Sequence, residues 1–298
     1  MRVAALWTSL VFCSLFFVRN AELCSALVTE GMYICVKSVI PSLFPYMVIS
    51  SLVISSGLAH YLGRVLSRPL SALFALSGGC AAAIVLGVTA GFPVGAKTAV
   101  DTYKRGLCSK EEAERLCCFC NNTGPAFLIG GIGVGFFGDA QAGVRLYIIQ
   151  LISIMISGGL LSLGKERHMP QSTLKASFDP DLSGAVRSSV NAVLAVCGFV
   201  IFFRVLNGAL AAALSSLHLR TLIPAVFALS EVTGGAGAAA DIGSLPLAAF
   251  SVGWSGACVH AQSAAFMHSE GLKMGKYLVA KALQGLTCAL ICVFWQNV

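Results

Sequence analysis

Two apolar stretches of the chain are interrupted by glycine-rich segments, one in each half of the sequence. The first interruption reads TAGFPVGAK at residues 89–97, and the second reads SEVTGG at residues 230–235. Lipid tolerates non-helical backbone only where protein or a water-filled cavity satisfies its N–H and C=O groups. The paired breaks therefore predict two re-entrant hairpins, at 72–97 and 221–243, that face each other across a solvated chamber at membrane depth.

The composition excludes an ordinary soluble domain. Hydrophobic residues make up 57% of the chain and charged residues only 11%, with a mean hydropathy of +0.83, whereas about a quarter of the residues of a soluble domain are charged. The net charge of +7 alone would allow a nucleic-acid partner. The distribution of Lys and Arg argues against one, because these residues lie between apolar runs without interleaved aromatic residues. The expected partner is the lipid bilayer, so we predict an all-α polytopic membrane protein.

The cysteines predict neither a disulfide scaffold nor a metal centre. Half of them lie in apolar runs, where a thiol behaves as a small hydrophobe. The cluster CCFC at residues 117–120 lacks a second Cys or His pair at zinc-site spacing. The sequence also contains no nucleophile elbow, Walker loop or HExxH helix. We therefore expect no enzymatic activity, no metal and no cofactor.

Apolar runs of about the length that crosses a bilayer predict seven spans, the first of them short and uncleaved: 3–18, 41–60, 117–137, 143–163, 187–213, 246–267 and 275–296. Residues 21–38 predict an amphipathic helix on the membrane surface. This layout places most Lys and Arg residues on one face, and cytoplasmic loops are enriched in these residues. We therefore predict a multi-pass protein of the cell membrane with a cytoplasmic N-terminus.

The spans and hairpins predict two repeats within a four-part chain. The parts are an N-terminal span with its surface helix at 1–40, a first repeat at 41–163, a cytoplasmic linker at 164–186 and a second repeat at 187–298. Each repeat has an odd number of crossings, so the second is predicted to be inverted relative to the first. A local match supports the duplication, because NTG at residues 122–124 and WSG at residues 254–256 both stand early in the span after a hairpin.

Candidate substrate-binding residues lie at the two breaks. At a helix break, glycines expose N–H groups that attract anions, and Asn, Thr and Ser side chains add polar contacts. The alternative for the glycines is close helix packing, and the alternative for the polar residues is hydrogen bonding between helices. The candidates of these two kinds are Gly91, Gly95, Asn121, Asn122, Thr123, Thr233, Gly234 and Ser255.

Three charged residues in apolar surroundings complete the candidate set. An isolated charge in lipid is costly, so Glu231 is expected to have a partner or a function. It acts either as a functional group, such as a coupling-ion ligand or proton carrier, or as one half of a structural ion pair with Arg204. Arg204 could instead hold a carboxylate substrate through its guanidinium fork. Lys97 closes the first hairpin, where it either joins the site or extends its ammonium to the cytoplasmic interface.

Three segments resemble those of YlbJ-type sporulation integral membrane proteins of the nucleoside-recognition (Gate) domain family. They are GFPVGAK at residues 91–97, EAERL at residues 112–116 and FCNNTGPAF at residues 119–127. The resemblance implies two inverted Gate repeats with re-entrant hairpins, a fold similar to concentrative nucleoside transporters. It also implies transport of dipicolinate, a small aromatic dicarboxylate, from the mother cell across the outer forespore membrane toward the forespore.

On this chain, the implied substrate region comprises residues 91–97, 121–123 and 231–235 together with Ser255. A planar dianion suits exposed N–H groups, Asn amides and a cation such as Arg204. Two other functions stay open: an ion-coupled carrier of a nucleoside or another metabolite, and a non-transporting membrane partner in spore assembly. The sequence also leaves a homo-oligomer open.

Overall fold

The computed structural model describes residue 14 and the ranges 17–165 and 181–296. These residues form helices joined by turns and contain no β-strand, so the predicted all-α class is confirmed for the described part of the chain. Nearly all of the predicted first span, 3–18, and most of the predicted linker, 164–186, lie outside the described residues.

Most helices are joined by a few residues, and residues 166–180, between the seventh and eighth helices named below, lie outside the described part of the chain. In chain order they are α1 (Ala21–Ile34), α2 (Ile40–Ser55), α3 (Leu58–Phe74), α4 (Ala81–Ala90), α5 (Val94–Lys104), α6 (Lys110–Cys120), α7 (Ala140–Leu161), α8 (Leu182–Ser216), α9 (Ile223–Ser230), α10 (Val232–Asp241), α11 (Leu245–Trp254), α12 (Gly256–Ser269) and α13 (Gly275–Gln296). Two π-helical segments, Cys35–Val39 and Phe127–Phe136, and two 3-10 turns, Gly78–Cys80 and Arg220–Leu222, lie between them.

Several helices are apolar and long enough to cross a membrane, so the chain is an integral membrane protein. Among the described residues, α7, α8 and α13 each meet this condition as single helices, and α2 and α3 meet it together across a bend of 82°. These three single helices correspond to the predicted spans 143–163, 187–213 and 275–296. Of the seven predicted crossings, these three are single helices, whereas 41–60, 117–137 and 246–267 are not, and nearly all of 3–18 lies outside the described residues.

The other predicted spans are interrupted for local backbone reasons. The predicted span 41–60 ends early, because Gly57 adopts a φ of 74° and redirects the chain into α3. The predicted spans 117–137 and 246–267 are each divided, the first between α6 and the π-helical segment and the second at Ser255, where φ is 73°. Non-glycine residues rarely adopt such a left-handed conformation, so the break at Ser255 was not apparent from its identity.

The predicted surface helix at 21–38 is part of a longer helical run. Helices α1 and α2 are continuous through the π-helical segment Cys35–Val39, and α1 packs along α8. Pro41 lies inside this run, just after the π-helical segment, and prolines and π-helical turns within a helix bend it without necessarily ending it. The separation of a surface helix from a span at residue 41 is therefore wrong.

Both predicted helix breaks are present, and the chain turns back at each. Helices α4 and α5 pack on each other so closely that a Cβ on Gly87 would lie 3.2 Å from the Cα of Gly95. Helices α9 and α10 do the same, because a Cβ on Gly235 would lie 2.5 Å from the Cα of Ala228. We call α4–α5 hairpin 1 and α9–α10 hairpin 2. Hairpin 1 spans 81–104 rather than 72–97, since residues 72–74 still belong to α3.

Two large apolar clusters combine residues from both halves of the chain. The first joins Leu116 and Phe119 of α6 to Tyr277 of α13. The second joins Leu146 of α7 to Val252 of α11. Because each core needs both halves, the halves interlock, and this interlocking brings α13 against the break that follows α6.

Candidate functional site

The tip of hairpin 1 packs against the non-helical residues 121–124 that follow α6, which we call the unwound segment. Gly91 has a φ of 85°, and a Cβ there would lie 2.6 Å from the backbone nitrogen of Gly124. A Cβ on Gly95 would lie only 2.1 Å from the carbonyl oxygen of Cys120. Both glycines thus permit contact between two backbones, as the close-packing alternative predicted.

Asn121, the first residue after α6, connects three elements. Its Oδ1 accepts a hydrogen bond from the Ala96 N–H at the start of α5, at 3.4 Å. Its Nδ2 donates to the hydroxyl oxygens of Ser263, at 2.8 Å, and Tyr277, at 3.3 Å. The side chain is fully buried. Asn121 therefore caps the second helix of hairpin 1 and fastens it to α12 and α13.

Asn122 is held by two long polar side chains of α13. Its Oδ1 accepts from Lys281 Nζ at 3.1 Å and from Gln284 Nε2 at 2.8 Å. Lys281 Nζ also donates to the backbone oxygen of Asn121 and, at 2.9 Å, to Gln284 Oε1. All of these side chains are fully buried or nearly so. The unwound segment is therefore bound directly by an ammonium group from the other half of the chain.

Thr123 is held from the opposite side by α7. Its N–H donates to Gln150 Oε1 at 3.1 Å, and its carbonyl oxygen accepts from Gln150 Nε2 at 2.8 Å. Gln150 thereby satisfies backbone groups that the helix break leaves without helical partners. The Thr123 hydroxyl itself is buried and has no hydrogen-bond partner, which is unusual for a buried polar atom.

These side chains form one buried polar cluster, which we call the polar centre. Its members share nearly complete burial and hydrogen bonds to one another or to the unwound segment. They are Asn121, Asn122, Thr123, Gln150, Ser263, Tyr277, Lys281 and Gln284. His260 lies at its edge, where Nδ1 is 3.2 Å from the Tyr277 hydroxyl and Nε2 is buried without a partner.

The tip of hairpin 2 carries an acidic residue. Glu231 occupies this tip and caps α10, because its carboxylate accepts from the N–H groups of Thr233, at 2.8 Å, and Gly234, at 2.7 Å. The prediction that this tip offers free N–H groups to an anion is therefore wrong, since a carboxylate already uses them. Thr233 is exposed.

The tip of hairpin 2 also rests on a break in its own half of the chain. A Cβ on Gly256 would lie 2.8 Å from the Cα of Glu231, and the preceding Ser255 is fully buried. Ser230 Oγ donates to Asn207 Oδ1 of α8 at 2.6 Å. Each hairpin tip thus contacts a divided helix, at Gly124 in the first case and at Gly256 in the second.

Arg204 and Lys97 have partners outside the polar centre. Arg204 pairs with Glu30 of α1, so the predicted ion pair between Arg204 and Glu231 is wrong. Lys97 is buried, and its Nζ donates to Ser51 Oγ at 2.8 Å and pairs with Asp101 Oδ2 at 2.6 Å. Its ammonium therefore does not extend to an interface, and it faces α2 rather than the unwound segment.

Two cavities lie away from the hairpin tips. One of about 380 Å³ is lined by side chains that include Ser51, Asp101, Lys104 and Arg105, and a wide groove of about 850 Å³ runs along α1. Phe92 at the tip of hairpin 1 packs against the same apolar cluster that contains Val232. One apolar cluster therefore borders both hairpin tips.

Lys281 was missed by the sequence analysis, although a signal for it existed. It lies inside the predicted span 275–296, and an ionisable residue within a span is by itself a candidate for a functional site. Gln150 and Gln284 carried a weaker signal, since single amides in spans usually serve helix packing. No group of His, Cys, Asp and Glu side chains within the described residues is arranged to hold a metal ion.

Comparisons with known proteins agree with the resemblance drawn from the motifs. Residues 36–158 match the Gate family, which is described as nucleoside recognition. The chain is 27% identical to the sporulation integral membrane protein YlbJ of Bacillus subtilis (strain 168), and the match covers 89% of this chain and 76% of that protein. No solved structure matches the chain. The matched Gate region contains hairpin 1 and the unwound segment of the polar centre.

Proposed function

We propose that this chain, an integral membrane protein similar to a sporulation protein with a Gate region, is a secondary transporter of a small organic anion. The cargo that we propose is dipicolinate, which the motif resemblance implies, moving from the mother cell toward the forespore. The observation that carries the proposal is the Lys281 ammonium, which is fully buried and bound to the unwound segment at Asn121 and Asn122. We expect no enzymatic chemistry.

Burying polar and charged groups in a membrane protein costs free energy, so a polar cluster of this kind is expected where it serves a function. Charged and polar groups within membrane-embedded elements commonly mark the path of a substrate or ion. Non-helical backbone next to a helical hairpin is typical of the binding sites of secondary transporters, which lie where two repeats meet. The polar centre combines these features with contributions from both halves of the chain.

We further propose that the halves are inverted repeats, similar to concentrative nucleoside transporters, that alternate access to the polar centre. The contact of each hairpin tip with a divided helix supports the repeat. The polar centre is closed in this conformation, since its side chains are almost completely buried. Because hairpin 1 touches the unwound segment directly, its movement is the simplest way to open the centre.

Uptake by reconstituted vesicles tests the proposal. Purified protein in liposomes is given labelled dipicolinate, with unlabelled dipicolinate or uridine as competitor. We expect saturable uptake that dipicolinate suppresses, loss of uptake in Asn122→Ala, and normal uptake in Arg204→Ala, whose ion pair lies outside the polar centre. Uptake no faster than that of protein-free liposomes would contradict the proposal.

A nucleoside is the second candidate cargo, because the family matched by residues 36–158 is described as nucleoside recognition. Stacking and amide contacts would then bind the base, and the charge of Lys281 would have no direct role. Suppression of uptake by uridine but not by dipicolinate would favour this candidate.

A further inference from the structure

Lys281 is held in a geometry that matches a charged ammonium. Its side chain is fully buried in α13, and its Nζ donates to three oxygens, those of the Asn121 carbonyl, the Asn122 amide and the Gln284 amide. A lysine ammonium has three N–H donors and no acceptor. Each donor therefore has a partner, and all three partners are neutral groups.

The ammonium has no carboxylate to balance its charge. The ion pairs of the described residues join Lys97 to Asp101, Lys104 to Glu270 and Arg204 to Glu30, and none includes Lys281. The carboxyl-terminal end of α6 lies against Nζ and contributes a partial negative charge of about one half. Hydrogen bonds satisfy the donors, but part of the positive charge stays uncompensated in a buried position.

Such an arrangement is unfavourable for a residue that serves packing alone. A buried charge is normally paired, and several neutral or apolar side chains of similar volume could fill the same space. The polar centre also contains a polar group without a hydrogen-bond partner. This group is the buried hydroxyl of Thr123, which belongs to the segment that Lys281 binds. Both groups lack an interaction that an anionic ligand with oxygen acceptors would supply.

We propose that Lys281 sets the charge of the transported molecule, by binding a carboxylate of the substrate in place of Asn122 Oδ1 and Gln284 Oε1. This inference rests on the proposed function and names the group that selects an anion. The two amides lie at 3.1 Å and 2.9 Å from Nζ and are neutral, so a carboxylate can replace them with a gain in electrostatic energy. Once released, their NH₂ groups can donate to the second oxygen or second carboxylate of the ligand.

The experiment compares two substrates of the same shape and different charge. Labelled dipicolinate and its neutral diamide are given to vesicles that contain the wild type, Lys281→Gln, Lys281→Arg or Lys276→Gln. Lys276 is the matched control, because it lies on the same helix and is exposed. Thermal unfolding of each purified variant in detergent accompanies the uptake measurement.

We expect Lys281→Gln to lower dipicolinate uptake by roughly ten- to a hundredfold, the effect of losing one charge-assisted hydrogen bond. Uptake of the neutral diamide should change much less, so the preference for the dianion should disappear. Lys281→Arg should keep much of the preference, and Lys276→Gln should behave like the wild type. An unchanged preference in folded Lys281→Gln would overturn the role of Lys281 and leave the proposed transport intact.

A second variant covers the case in which Lys281→Gln does not fold. Gln284→Glu keeps the lysine and places a permanent carboxylate beside its ammonium, which should compete with the substrate. We expect this variant to fold and to lose dipicolinate uptake. Normal dipicolinate uptake by Gln284→Glu would overturn the inference, whereas a wild type that moves neither compound would refute the proposed function itself.

Discussion

The contact between hairpin 1 and the unwound segment makes a quantitative prediction for Gly95→Ala. The added Cβ would lie 2.1 Å from the Cys120 oxygen, 2.8 Å from the Cys120 carbonyl carbon and 3.1 Å from the Cα of Asn121. Ordinary carbon–oxygen contacts begin near 3.3 Å, so α5 and the unwound segment must separate by about 1 Å. The obstructing atoms belong to backbone, which cannot rotate away as a side chain can.

The energetic effect combines two costs and one gain. Overpacking in a dense interior costs about 1 to 3 kcal/mol, and the gain in helix propensity from Gly to Ala recovers up to about 1 kcal/mol. The separation also breaks the 3.4 Å hydrogen bond from Ala96 N–H to Asn121 Oδ1, which is already long, at a cost of about 1 kcal/mol. We expect the free energy of unfolding to fall by about 1 to 3 kcal/mol.

The assay is an unfolding titration in mixed micelles, combined with uptake of dipicolinate by vesicles. Gly159→Ala is the control, because a Cβ at Gly159 of α7 would meet open space and should stabilise the helix slightly. We expect Gly95→Ala to lose both stability and uptake, and Gly159→Ala to lose neither. Wild-type stability and uptake in Gly95→Ala would refute the close contact at the tip.

Three further substitutions test other parts of the structure, each by the same unfolding titration. Glu231→Ala removes the cap of α10 and should cost about 1 to 2 kcal/mol, whereas Glu231→Gln keeps an acceptor and should cost less; equal costs would contradict the capping role. Ser109→Ala breaks the capping box of α6 and should cost about 1 kcal/mol, and no measurable loss would count against that cap. Arg204→Ala leaves Glu30 without its ion-pair partner beside α8, a helix that can cross the membrane, and an unpaired charge there costs about 2.5 to 3.5 kcal/mol, so a loss well below this range would contradict a position of the pair within the membrane.

The helix breaks could be predicted from sequence because their cause is local. Glycine and proline within an apolar run interrupt a helix, and polar residues beside the interruption indicate where backbone groups need partners. Residues 121–124 and the turn at Glu231 were found in this way. Ser255 was singled out by its match to residues 122–124, but the division of the predicted span 246–267 at this residue was not predicted.

The partners of the charged residues could not be predicted, because they depend on packing between distant segments. Arg204 pairs with Glu30, a residue of a helix that the sequence pattern assigned to the membrane surface. Lys281 lies more than 150 positions from Asn122, and only the interlocking of the two halves brings them together. Local patterns indicate that a buried charge exists, but they do not indicate what satisfies it.

An experimental structure of the complex with dipicolinate would show directly which group binds the substrate. We expect the ligand in the polar centre, with a carboxylate oxygen within hydrogen-bonding distance of Lys281 Nζ and the Asn122 amide released from it. Dipicolinate bound instead in the cavity lined by Ser51, Lys104 and Arg105, with Lys281 still held by its three neutral oxygens, would rule out Lys281 as the group that binds the substrate.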